Sequence, residues 1–219
     1  MLVIDDASPD GTGALADDLA RGDRQVRVLH RSAKRGLGAA YLEGFAWALA
    51  QGYDALVEMD ADGSHRPEQL PELLAALGQA DVVLGSRWVR GGKVVNWPLQ
   101  RKLLSVGGNL YTRVLLGMPV HDATGGYRAY RTDALREMGL QGVSSQGYCF
   151  QVELVWRALR HGLSVVEVPI TFVEREIGDS KMSSDIVRES LLSITRWGIE
   201  HRAAQLRGLS QREPRWQTL

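Results

Sequence analysis

The sequence predicts an α/β domain in which a mostly parallel sheet carries helices on both faces. Three observations point there. Short apolar runs alternate with longer stretches of helical periodicity, as in repeated strand–helix units. Two of those runs, "LVIDD" (2–6) and "ALVEMD" (55–60), finish on aspartates, and ligands of open α/β sheets gather at the carboxyl ends of strands. Finally, 219 residues that are 44% hydrophobic can bury one sizeable core.

The elements follow in order. "LVIDD" is a strand, "SPDGTG" a turn, and a helix runs on to about Ala20. "VRVLH" (26–30) is the second strand, followed by a helix from about Gly38 to Gln51 and the strand "ALVEMD". Pro67 suits a first helical turn, ahead of Leu70, Leu73, Leu74 and Leu77 on one expected face, with Gly78 as the stop. "DVVLGSR" (81–87) is another strand ending on charge. From 88 to 119 the pattern loosens into a Gly-rich loop and one or two helical stretches. "GYRAYR" (126–131) reads as a strand, followed by a helix ending near Gly162 and the strand "VVEVPITF" (165–172). An amphipathic helix from about Ser184 to Leu206 closes a single domain, 1–206, and 207–219 reads as a polar tail.

Composition excludes several classes. Lys plus Arg equals Asp plus Glu at 26 each, so there is no basic excess of the kind a nucleic-acid binder shows. The one cysteine, Cys149, excludes an internal disulfide framework and a cysteine-rich metal site, and fits a reducing compartment. No run approaches the roughly 18–20 apolar residues of a spanning helix, and no basic-then-apolar signal opens the chain. The expectation is a cytoplasmic protein, at most peripheral at the cytoplasmic face of a membrane.

The chemistry is concentrated in acid. Asp5, Asp6, Asp60 and Asp62 are expected to line one negative pocket that Mg²⁺ or Mn²⁺ would neutralise, because these ions take one or two carboxylates plus phosphate oxygens. In an extended segment the D-x-D side chains would point the same way. Asp10, in "SPDG", reads as a turn residue. Arg87, Arg101, Arg128, Arg175 and Lys181 lie at segment ends or beside Gly-rich turns, and arginine forks suit phosphate oxygens. Taken singly, each also reads as an ordinary surface residue; together with D-x-D they suit a nucleoside diphosphate. "GLGAAY" (36–41) imitates a dinucleotide fingerprint, but Tyr41 stands in place of the third glycine, so Gly36 and Gly38 read as close-packing positions. The stretch from Pro98 to Leu116 places Leu103, Leu104, Val106, Leu110, Val114, Leu115 and Leu116 around Arg101 and Arg113. That pattern leaves a core helix and a lipid-facing helix equally open.

Taken together, "IDDASPDGTG", "RGLGAAYLEGF", "MDADGSH", "GSRW", "NWPLQRKLLSVGGNLYTRVLLG", "DATGGYRAYR", "SQGYCFQVEL" and "VPITFVEREIGDSKMS" span Ile4 to about Trp197. The chain resembles inverting family 2 glycosyltransferases of the GT-A fold, in particular polyprenol- (dolichol-) phosphate mannose synthases. The resemblance implies GDP-mannose as donor and a polyprenyl phosphate lipid as acceptor at a membrane surface, with a membrane-anchoring protein as a further candidate partner. Ile4 and Asp6 would contact the guanosine, while Asp60, Ala61 and Asp62 would meet diphosphate and metal, with Asp62 as direct ligand. Ser64 falls where relatives carry a Gln or Ser that helps hold the metal. Arg87, Arg175 and Lys181 would bind donor phosphates, Lys181 from a loop, "EREIGDSKMSS" (174–184), that closes over the site. Arg101 and Ser105 would receive the acceptor phosphate, and Asp62, Arg87 and Arg101 would form the catalytic set. Asp122 sits where relatives with hydroxyl acceptors keep a base; here it reads as structural or sugar-contacting.

One departure accompanies the resemblance. Relatives begin with a further strand and helix bearing a P-x-Y-N-E type motif, which this sequence does not contain. That predicts a gap or a displaced pairing between the strands at 2–5 and 55–59, poor solubility and weakened donor binding. Competing readings are transfer of another sugar to the same lipid, an inactive truncated fragment, and a phospho-acceptor signalling domain suggested by "VIDD".

Overall fold

The computed structural model describes residues 1–143, 147–175 and 184–210, with the backbone alone for 147–148, 184–186 and 204–210. The chain opens with β1 (Leu2–Asp5), α1 (Thr12–Gly22) and β2 (Arg27–His30), a right-length strand–helix–strand unit whose strands pair in parallel with Asp5 opposite His30. Next come α2 (Leu37–Ala50) and β3 (Ala55–Glu58). A 3₁₀ turn at Pro67–Gln69 leads into α3 (Leu70–Ala76), then β4 (Val82–Ser86), β5 (Lys93–Val95) and α4 (Leu99–Leu116). The remainder is β6 (Arg128–Arg131), α5 (Thr132–Met138), α6 (Gly147–Arg160), β7 (Val165–Pro169), β8 (Thr171–Val173) and α7 (Ser184–Ser210).

The central sheet has the order β3-β6-β4-β7. β4 and β7 are parallel, as are β5 and β8 in their own small sheet, while β6 runs antiparallel to both β3 and β4. Parallel pairing therefore predominates, with one reversed strand inserted. The single strand expected at 165–172 is two strands, because Ile170 passes the chain from one sheet to the other. Its N–H donates to Ser86 O (3.0 Å) and its carbonyl accepts from Lys93 N (3.0 Å). β5, only three residues long, lies inside the stretch that reads as a Gly-rich loop. Among the described residues β1 and β3 belong to separate sheets with no pairing between them, so the displaced pairing does not occur.

Alternation along β4 sorts the core onto the two faces of the central sheet. Val82 and Leu84 join Phe45, Tyr130, Phe150 and Leu154 on one side, while Val83 joins Leu73, Leu77, Ala129 and Ile170 on the other. Leu74, expected on the buried face of α3, is 44% exposed instead. The buried positions are Leu73 and Leu77, with Leu70 packed at their edge, and a residue one position after Leu73 turns about 100° away from them.

The strand that leads to the D-x-D loop stands on a buried polar group. Glu58 accepts from Tyr130 Oη at 2.8 Å and lies 3.6 Å from Arg128 Nε. Arg128 is wholly buried and donates to the carbonyls of Gly125, Gln151 and Ala123, each at 2.7 Å. It is a structural arginine, not a phosphate ligand. Burial pushes the Glu58 carboxyl up to about 7, against the opposing pull of Arg128 and Tyr130. Because its native pKa lies above the ordinary value of 4.5, the folded protein keeps this proton where the unfolded chain releases it. The contribution is full below about pH 4.5 and is lost as pH rises through about 7. Between about pH 5 and about pH 8, in metal-free buffer, the stability of Glu58→Gln relative to the parent should improve by about 2 kcal/mol. Urea unfolding at both pH values measures it; a gap independent of pH would mean that Glu58 is ionised throughout.

Candidate active site

The D-x-D residues do not lie on an extended strand. β3 ends at Glu58, and residues 61–64 form bends, so the expected same-side alignment gives way to local hydrogen bonds. Asp62 Oδ1 accepts from Ser64 N (3.0 Å) and from Ser64 Oγ (2.5 Å). Burial would raise the Asp62 carboxyl, but the Ser64 bonds and the charge of Arg175, whose Nη1 is 3.7 Å away, hold it below the usual range. Asp62 is thus ionised at neutral pH. Ser64 is buried and spends its hydroxyl on Asp62, so it orients that carboxylate. Asp60 accepts from Tyr41 Oη of α2 at 3.3 Å, and its backbone N–H donates to His65 Nδ1 at 3.1 Å. That bond makes Nδ1 an acceptor, so His65 is the neutral Nε2–H tautomer. Burial lowers its pKa in the same direction, against the pull of Asp60. His65 is clamped between Tyr127 and Phe172, with ring centroids 5.0 and 5.2 Å away.

The loop is stitched to β8. Ser64 O accepts from Val173 N (3.1 Å), and Glu174 N donates to Val95 O (3.0 Å). Glu174 and Arg175 therefore emerge beside Asp62. Arg101, near the start of α4, is ion-paired with Glu174 and sits 4.3 Å above the ring of Trp97. Arg87 lies 5.3 Å from the same ring, so both guanidinium groups sit against Trp97. One turn after Arg101, Ser105 Oγ is buried with no hydrogen-bond partner among the described residues. A buried hydroxyl without a partner carries a desolvation cost that an incoming anion would relieve.

Arg87 is not an open phosphate cradle. Its Nε and Nη2 each meet a carboxylate oxygen of fully buried Asp122 at 2.7 Å, and its backbone N–H donates to Asp122 Oδ2 at 2.9 Å. Burial alone would raise the Asp122 carboxyl; the Arg87 charge and bonds hold it below the ordinary range. Glu167 accepts from the N–H groups of His121 and Asp122 at 2.8 and 2.9 Å, fixing the loop that presents it. Four residues on, the chain passes under the D-x-D loop. A Cβ at Gly126 would sit 3.6 Å from both Asp60 Oδ2 and the His65 ring.

The other acidic strand end is neutralised locally, so the four carboxylates do not form one bare pocket. Asp5 is buried and bonded by Ser8 N (3.2 Å) and His30 Nδ1 (3.3 Å), and Ser8 and His30 lower its pKa in spite of burial. Asp6 is ion-paired with buried Arg31, whose guanidinium also reaches Glu43 of α2. Ile4 packs against Gly44, where a Cβ would overlap Ile4 Cδ1 and displace that side chain. α2 therefore braces both strand ends, through Glu43 and Gly44 on one side and Tyr41 on the other. Its start is set by Gly36, whose φ of +90° suits glycine, so the glycines at 36 and 38 serve the helix entry.

The structure brings Asp60, Ala61, Asp62, Ser64, Arg87, Arg101, Ser105 and Arg175 into one region, with Ile4 and Asp6 at its α2-side margin. Lys181 and most of the 174–184 loop lie outside the described residues. Asp60 and Asp62 supply two carboxylates; no group of three or more His, Cys, Asp or Glu side chains that could hold a metal occurs among the described residues. That donor set fits a cation completed by a ligand's own phosphate oxygens. Sequence reasoning missed Arg31, Tyr41, His65, Trp97 and Glu174. Arg31 had a usable signal, since parallel strands ending level place the residue after His30 beside the residue after Asp5. Tyr41 and Glu174 had none, because no strand pairing sets Tyr41 beside Asp60 or Glu174 beside Arg101.

Known proteins resemble this chain over most of its length. The sequence pattern of Glycosyl transferase family 2 matches residues 1–139. An undecaprenyl-phosphate mannosyltransferase of Micrococcus luteus is 58% identical over 212 residues, covering 97% of this chain and 86% of that protein. A polyprenol monophosphomannose synthase of Mycolicibacterium smegmatis is 57% identical over 211 residues, covering 95% and 80%. Among solved structures, glucosyl-3-phosphoglycerate synthase of Mycobacterium tuberculosis, in complex with Mn²⁺, UDP-glucose and phosphoglyceric acid, superposes with a TM-score of 0.58 at 20% identity, covering 89% of this chain and 68% of that one. At that identity the likeness concerns the fold. The chain belongs to glycosyl transferase family 2 and has the GT-A fold, and it is a transferase.

Proposed function

We propose that the protein transfers mannose from GDP-mannose to a polyprenyl phosphate, with inversion, giving polyprenyl β-mannosyl phosphate. The observation that carries this reading is the pair formed by Arg101 and the unpartnered Ser105 Oγ on one turn of α4, beside the Arg175–Asp62 end of the D-x-D loop. The names of the two relatives support the mannose and the polyprenyl phosphate. A phosphate acceptor is already an anion at neutral pH, so attack needs no strong base. Asp122, spent on Arg87, is consistent with that economy. The residues then have two tasks: hold two anions close together and stabilise the departing diphosphate. Arg101 would exchange Glu174 for the acceptor phosphate, with Ser105 donating a hydrogen bond to it. Asp60 and Asp62 would hold Mg²⁺ or Mn²⁺ with Ser64 as support, and the cation would neutralise charge on the leaving diphosphate. Arg175 and Lys181 would complete the donor side, braced by Arg87, whose guanidinium is spent on Asp122, and Ile4, Asp6 and Ala61 would supply the nucleoside and diphosphate contacts. The protein would act peripherally at the cytoplasmic face of a membrane; no helix among the described residues is long and apolar enough to cross one.

Radiolabelled GDP-mannose, a polyprenyl phosphate and Mn²⁺ test the reading, and the product should be an acid-labile mannolipid. Arg101→Ala should raise the KM for polyprenyl phosphate roughly 100-fold, in the range for losing a charge-assisted contact, while donor KM stays nearly unchanged. Equal loss of both would move Arg101 to the donor side, and label transfer to no lipid phosphate would end the proposal.

A further inference from the structure

β3 stops pairing before it reaches the D-x-D residues. Its register with β6 sets Ala55 opposite Arg131 and Glu58 opposite Arg128. Two residues further along each strand, Asp60 would face Gly126, and Gly126 does lie against the Asp60 carboxylate and the His65 ring. The Asp60 N–H goes not to the sheet but to His65 Nδ1, 3.1 Å away. That bond closes the loop carrying both carboxylates, with the imidazole standing in for a ladder partner.

The ring is itself fixed on three sides. Tyr127 and Phe172 clamp it, with centroids 5.0 and 5.2 Å away, and Gly126 leaves room for it. His65 and Phe172 also form a backbone bridge between the loop and β8, the strand that runs on into Arg175. The side chain is 1% exposed, and its Nε2–H has no partner among the described residues. A buried donor without a partner weakens a fold, and phenylalanine would fill the same clamp without one. Packing alone therefore does not account for an imidazole here; its use as an acceptor does.

We propose that His65 is a positioning residue for metal and diphosphate binding. By accepting the Asp60 N–H it sets the direction in which the Asp60 carboxylate leaves the chain, and with it the spacing of Asp60 and Asp62. Mg²⁺ demands near-ideal octahedral geometry, so that spacing governs how well the loop holds a cation. The role deepens the proposed function and rests on its assignment of Asp60 and Asp62 to the metal. His65 acts only through the loop.

Two substitutions separate the hydrogen bond from the packing. In His65→Asn the Oδ1 atom lies as many bonds from Cβ as Nδ1 does. It can accept the Asp60 N–H, while the lost ring leaves a cavity between Tyr127 and Phe172. His65→Phe keeps a ring and loses the acceptor. In metal-free buffer the asparagine variant should therefore melt below the phenylalanine variant. Calorimetric titration of GDP in the presence of Mn²⁺, well below both melting temperatures, should give the opposite order. The phenylalanine variant should need about 10- to 100-fold more Mn²⁺ for half-maximal GDP binding, the range for losing a residue that orients a metal ligand, and the asparagine variant much less. A Mn²⁺ requirement that follows the melting order, or that neither substitution changes, would overturn the proposal. So would a parent whose GDP binding ignores Mn²⁺. Isotope-labelled histidine in the parent supplies a check that needs no variant: the NMR shifts of the His65 ring should show an unprotonated Nδ1, and a protonated Nδ1 would equally overturn it. Mn²⁺-dependent GDP binding without mannose transfer would remove the proposed function and leave the role of His65 to stand on the order of the two variants.

Discussion

Asp62→Ala is expected to reduce mannosyl transfer by more than about 100-fold and to abolish the Mn²⁺ dependence of GDP binding, on the proposed metal role. The reason lies in how the D-x-D loop is built. Asp62 is held ionised by Ser64 and Arg175 and remains partly exposed, so its carboxylate is available to a cation. Asp60 is engaged by Tyr41 and tied to His65 through its backbone. Its loss should therefore disturb the loop as well as the metal. Ser64→Ala provides an internal scale: a residue that only orients a metal ligand typically costs 10- to 100-fold in metal affinity, so it should fall between the parent and Asp62→Ala. Calorimetric titration of GDP with and without Mn²⁺ checks the series. Normal turnover by Asp62→Ala at saturating Mn²⁺ would take the metal away from this residue.

Most of the fold could be read directly, because most strands and most helices announce themselves locally. Val82–Ser86 is a run of apolar residues bounded by Asp81 and Arg87, and its burial on both faces leaves no other use for it. The failures share one physical cause. The reversal of β6, the break at Ile170 and the existence of β5 are set by which strand lies next to which, and no window of ten residues contains that information.

The site divides in the same way. The acidic D-x-D residues stand out by composition, but which arginine faces a ligand and which a protein carboxylate depends on partners far along the chain. Arg87 and Arg128 read alike in sequence. One is bound by Asp122, 35 positions on, and the other by two carbonyls of the turn before it and one of α6. Burial also distinguishes Asp5 from Asp6, which sequence treats as a pair. The stretch 98–116 left core and surface open, and both hold along one helix: Asn109, Thr112 and Leu116 are inside, whereas Leu103, Val106, Leu110 and Val114 are outside.

Breaking the Arg87–Asp122 pair should produce the largest loss of stability. Both groups are buried, the contact is two-pronged at 2.7 Å, and Asp122 also receives the Arg87 backbone N–H. Removing one member of such a pair leaves a desolvated charge, at a cost of about 3–5 kcal/mol. Asp122→Ala is therefore expected to unfold at markedly lower urea concentration, and Arg87→Ala likewise. The double substitution should cost well below the sum of the two, with a coupling of at least about 2 kcal/mol, because neither charge is then stranded. Asp122→Asn separates structure from chemistry. The amide keeps the shape of the side chain but cannot balance the guanidinium, so stability should fall nearly as far as with alanine. The surviving folded fraction, assayed well below its melting temperature, should still transfer mannose, because an anionic acceptor asks for no base. A stable Asp122→Asn protein without activity would reverse the assignment and make Asp122 the proton acceptor of the reaction.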